Sequence, residues 1–183
     1  MSTFMRSLLL LTGLLIGGVV PVHAQGAGNV NVALNGSVAP GTCTVAPVNE
    51  RFPTVTANTF NSNPANENSN SASWLPFNLT LTGCAGVTGA TLVFGTATDA
   101  EPTRVSMFRN KATTGAAPYA AVWLRPGNDC AAGGTIAPAS TRNETISGAT
   151  HQVPLCALYV KLAGGVVTRG AISTTFTVTI TYR

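Results

Sequence analysis

Charge is scarce in this chain: Lys, Arg, Asp and Glu make up 9% of its 183 residues, and the ten basic ones are scattered without a cluster. Scattered cations do not match a run of phosphates, which argues against nucleic acid as a partner. Histidine is nearly absent, with only His23 and His151. General-base or metal chemistry built on one histidine needs partners that the sequence does not offer, so His151 reads as a surface residue. No G-x-S-x-G, H-E-x-x-H, phosphate loop or C-x-x-C occurs. Asp99 and Glu101, the only near pair of carboxylates, stand beside Pro102 in "TATDAEPTR" and read as a solvated loop. Catalysis, cofactors and bound metal are therefore not expected. Helical periodicity is missing too, since no stretch keeps an apolar period of 3.6 for three turns.

Long hydrophobic runs are confined to one place. Arg6 precedes an apolar stretch from Leu8 to Val20, and Val22, His23 and Ala24 form a small-residue cleavage site. Residues 1–24 are expected to be a secretory signal peptide cleaved before Gln25, because the run is shorter than the roughly 20 apolar residues of a spanning helix. The 159 residues that follow suit one domain, with nine basic and six acidic residues. Their four cysteines, Cys43, Cys84, Cys130 and Cys156, are an even number in an exported chain and read as two disulfides. Three pairings are open; the favoured one joins Cys43 to Cys84 and Cys130 to Cys156.

What the chain has in quantity is Thr, Val, Asn, Gly, Ala and Ser, in short alternating runs punctuated by Gly, Pro and Asn. The strands expected are "NVNVALNGSV", "CTVAPV", "WLPFNLTLTGC", "GATLVFGTA", "RVSMFRN", "YAAVWLR", "HQVPLCALYVKL" and the terminal "GAISTTFTVTITYR". Between them, Asn58 to Ser73 reads as a polar low-complexity loop. Seven or eight strands in this length suggest an all-β, immunoglobulin-like sandwich. In the terminal strand Phe176, Val178, Ile180 and Tyr182 share one face, and Thr175, Thr177, Thr179, Thr181 and Arg183 the other. A strand so regular needs neighbours on both sides, from this chain or from another.

Four features together resemble the pilin subunits of type 1-like fimbriae built by the chaperone-usher pathway. They are the alternating "VNVALNGSVAPGTCTV" before the first cysteine, "PFNLTLTGC" closing on the second, Gly170 fourteenth from the carboxyl end, and Tyr182 next to last. The resemblance implies an incomplete immunoglobulin-like sandwich lacking its seventh strand, completed by a donor strand from another subunit. Residues 25–35 would be the donor extension, with Gly28, Val30, Val32 and Leu34 facing the neighbour's groove, and 36–183 the pilin domain. Gly170, Phe176, Val178, Ile180, Tyr182 and Arg183 would form the acceptor groove and the strand read by the chaperone. The implied partners are other pilin subunits, a periplasmic chaperone and an outer-membrane usher; the implied destination is a cell-surface fimbrium reached through the periplasm. In this family one disulfide is common, corresponding to Cys43 with Cys84, so Cys130 and Cys156 are additional and suggest a minor adaptor or tip-proximal subunit as the alternative. The alternative of another class is a self-contained secreted β-sandwich that binds a ligand.

Overall fold

The computed structural model describes residues 41–183 except position 61. The expected signal peptide, and the donor positions Gly28, Val30, Val32 and Leu34, lie outside the described residues. Ten strands occur within them: β1 (Thr44–Val45), β2 (Asn68–Ser69), β3 (Leu75–Thr82), β4 (Gly89–Phe94), β5 (Ala100–Glu101), β6 (Arg104–Arg109), β7 (Ala120–Pro126), β8 (Ser140–Thr145), β9 (Thr150–Lys161) and β10 (Val178–Tyr182). They make two sheets, one ordered β1-β3-β9-β7-β6-β5 with β2 also on β9, the other β10-β4-β8. Every strand pairing is antiparallel.

Alternation places the core between the sheets. Leu79 and Leu81 of β3, Val122 and Leu124 of β7, and Val153, Leu155 and Ala157 of β9 face Ala90, Leu92 and Phe94 of β4. Strand β9 is buried on its other face as well, through Cys156, Leu158 and Val160. Part of that second cover is the segment after β7, tied down by the Cys130–Cys156 disulfide. Its carbonyls at Cys130 and Ala132 accept from Arg125 Nη1 at 2.6 and 3.2 Å, and Thr135 Oγ1 accepts from Trp123 Nε1 at 2.9 Å. A strand apolar on both sides is what two-sided cover selects.

Three expectations need correction. The Asn-rich stretch is not simply a loop, for it holds 3-10 turns at Ala57–Thr59 and Ser71–Ser73 and strand β2 between them. Asn70 and Ser73 are buried there. The Ser73 hydroxyl donates to Asn70 O at 2.6 Å and accepts from Tyr159 N at 2.8 Å, so polar side chains complete the ladder that the backbone leaves open. Fully buried Lys161 likewise donates to the carbonyls of Asn63, Asn66 and Leu162, one for each of its protons. Secondly, Asp99 is buried rather than solvated, and Glu101 lies in β5. Thirdly, β8 was not foreseen, because "STRNET" holds no apolar residue; pairing with β4 makes it a strand.

Candidate functional site

Among the described residues the terminal strand has a partner on one side only. Val178 to Tyr182 pair with Phe94 to Ala90 of β4, and among the described residues no strand lies along the opposite edge. The ladder is shorter than the alternating sequence, because β4 ends at Phe94 and Gly95 turns the chain away at φ 65°. The positive φ favours glycine at position 95, and a Cβ there would stand 2.7 Å from Asp99 Oδ2, which would have to shift.

Upstream of the ladder, residues 171–175 are held by the segment after β6. Asn110 donates from Nδ2 to Ala171 O at 2.9 Å and accepts Ser173 N at 3.0 Å. Lys111 N donates to Ser173 O at 2.6 Å, and its ammonium bridges Thr175 O and the Asp99 carboxylate. Gly170 lies against the same segment so closely that a Cβ would be 2.4 Å from Ala117 N and 2.5 Å from its Cα. Only glycine fits, which gives the fourteenth position from the end a steric reason.

Beside this unpaired edge runs a groove. Three cavities of about 590, 210 and 460 Å³ follow one another along it, the first two sharing Val48 and Phe176 and the last two sharing Phe52. One wall is the terminal segment, with Tyr182, Ile180, Val178, Phe176 and Ile172 in order. The other is Val45 of β1 and the chain after it, through Val48, Phe52 and Val55. Core side chains such as Leu79, Phe77 and Phe108 reach its base. Phe176 stacks on Phe108 at 4.3 Å, and Phe52 packs against Tyr159 at 4.4 Å. The apolar set Phe176, Val178, Ile180 and Tyr182 stays half-buried while the alternating threonines are exposed. Backbone groups free on one edge above half-covered apolar side chains are what an added β-strand satisfies.

Two anchors fix the walls. The Cys43–Cys84 disulfide ties the chain just before β1 to the end of β3. Across the groove mouth, Tyr182 Oη donates to Cys43 O at 3.1 Å, so the next-to-last tyrosine joins the walls. Arg183 is not among the lining residues. Its Nη1 donates to Thr91 Oγ1 at 2.9 Å on the outer face of the sheet, and its backbone oxygen accepts from Thr88 N and Gly89 N at 2.9 and 3.0 Å. Sequence alternation set Phe176, Val178, Ile180 and Tyr182 on one face of the terminal strand, but gave no signal for the apolar side chains after β1, where Pro47 and Pro53 break any period.

The ammonium of Lys111, bonded to Asp99, holds that carboxyl below its ordinary value of 3.8, against the opposing effect of burial and with help from Thr96. A depressed native value means that the carboxylate stabilises the fold above 3.8 and that this stabilisation is lost as pH falls below it. Unfolding midpoints measured between about pH 5 and pH 2 should therefore fall less steeply for Asp99→Asn than for the parent. Equal slopes would show that the Asp99–Lys111 pair does not anchor residues 171–175.

The profile of the fimbrial protein family matches residues 32–183. No curated protein matches the chain. Among solved structures, a chain from a chaperone-usher pilus described for its rod uncoiling is 16% identical, with 86% of this chain and 97% of that one covered at a TM-score of 0.57. The P pilus rod subunit PapA is 15% identical, over 78% of this chain and all of its own, at a TM-score of 0.58. The CupB6 tip adhesin of Pseudomonas aeruginosa is 20% identical at a TM-score of 0.60, but this chain spans only 38% of its length. At these identities the likeness is one of fold.

Proposed function

The chain belongs to the fimbrial protein family, and we propose that this structural pilus subunit polymerises by taking a strand from another subunit into the groove beside β10. The observation that carries the reading is the unpaired edge of β10 above apolar cavities. Length agrees with it. The groove wall from Ile172 to Tyr182 and the proposed donor from Gln25 to Asn35 are each eleven residues, about 35 Å of extended chain. In the donor, Val30, Val32 and Leu34 share one parity, with Gly28 two residues before them. Before assembly, a periplasmic chaperone would lend the strand instead, and an outer-membrane usher would pass the subunit to the cell surface. The role is structural rather than catalytic.

Insertion by itself is nearly balanced. Burying three aliphatic side chains contributes about 5–9 kcal/mol and eight ladder bonds about 8, whereas ordering ten residues costs about 10–20. The permanence of such a polymer is therefore kinetic, because a strand can leave only when the acceptor sandwich partly unfolds. Electrophoresis of the mature protein in SDS without boiling tests this. A ladder of multimers that collapses on boiling is expected; a single monomer band from protein retaining residues 25–35 would overturn the proposal.

A further inference from the structure

The three-stranded sheet has two edges without a neighbouring strand among the described residues, β10 and β8. They are chemically unlike. On β8 the register sets Arg142 opposite Leu92 and Glu144 opposite Ala90, both fully buried, so the two charged side chains point into the sandwich. Thr141, Asn143 and Thr145 point outward and are exposed. Arg142 Nε donates to Glu144 Oε1. The other oxygen, Oε2, lies 3.2 Å from Nε2 of His151, which stands on β9 opposite the buried Leu81. The three side chains are 27, 12 and 20% exposed, and Arg142 Nη1 is buried with no hydrogen-bond partner among the described residues.

A strand laid beside β8 would have to set its inward side chains against this cluster and strip away the remaining water. Covering charge in this way is costly, and inward-pointing charge is a known means of blunting a sheet edge. The ladder of β10 presents only Val178, Ile180 and Tyr182 inward. We infer that Arg142, Glu144 and His151 determine the specificity of assembly by closing the β8 edge, so that strand addition is confined to β10. This rests on the reading of the β10 groove as the strand acceptor.

The test is the mature chain carrying Arg142→Val and Glu144→Val. Replacing an ion pair by apolar residues of β propensity is expected to leave the thermal midpoint at or above the parent's. The variant should associate laterally, and the outward amides of Thr141 to Thr145 should gain about tenfold or more protection from hydrogen exchange. That association should persist when residues 25–35 are deleted, since it uses the other edge. A variant with the parent's association and exchange would overturn the inference, as would extra association that disappears with the deletion. Arg142→Thr with Glu144→Thr carries the same expectations should the valine pair fail to fold. The groove reading fails separately, if the parent chain lacking residues 25–35 still polymerises.

Discussion

Ile180→Asp should abolish polymer formation while leaving the open subunit folded. Ile180 sits mid-strand in β10, paired with the buried Leu92, and lines the largest of the three cavities. In the open subunit the residue is half-buried, so a carboxylate there keeps part of its water and the lost apolar contact costs about 2–4 kcal/mol. Once a strand closes the groove, the same carboxylate has no cationic partner among the lining residues and must be desolvated, at several kcal/mol more. Because insertion is nearly balanced to begin with, that addition is decisive. Thr179→Asp is the control, since Thr179 is exposed on the opposite face of the same strand. Unboiled electrophoresis should show ladders for Thr179→Asp and only monomer for Ile180→Asp; ladders of equal length in both would show that strand addition occurs elsewhere.

Removal of the Cys43–Cys84 disulfide by Cys43→Ala with Cys84→Ala should both destabilise the subunit and prevent assembly. The bridge spans 41 residues, and on the chain-entropy model its loss costs about 4 kcal/mol. The structural consequence is local to the groove. Strand β1 pairs with β3 over only two residues, so without the bridge the start of the wall at Cys43 is held by that pairing, the Thr82 hydroxyl on Thr44 O and the Tyr182 hydroxyl, with Phe52 against Tyr159 further along. Cys130→Ala with Cys156→Ala provides the contrast. Its 26-residue loop gives a similar cost of about 3.5 kcal/mol, yet it fastens the cover over the outer face of β9, away from β10. Denaturant midpoints should fall comparably in the two variants, while ladders are lost only in the first. Loss of ladders in both would make general stability, rather than the groove wall, the controlling quantity.

Much of this was legible in the chain because period-two alternation is a local property. Phe77, Leu79 and Leu81, or Val178, Ile180 and Tyr182, declare a strand and its inner face without reference to any neighbour. Strand β8 was illegible for the same reason reversed: its inward positions are Arg142 and Glu144, so the alternation is polar on both sides and has no hydrophobic signal. Asp99 was misread because its burial depends on Lys111, twelve residues away, and on the path of residues 171–175. The segment after β1 carries Val48, Phe52 and Val55 into the groove without any regular spacing.

From the order of its residues alone the chain settled an all-β composition and the inner face of the long strands, whereas Gly170 and Tyr182 stood out only through the resemblance to fimbrial subunits. Composition and inner face depend on the period of the backbone, which is a local property. Only the folded arrangement decided which strands stand at the sheet edges, which apolar segment lies across from β10, and that β8 turns Arg142 and Glu144 inward. Edge status is a relation between strands far apart in sequence, and a strand's own residues read the same whether its second neighbour is present, absent or supplied by another molecule.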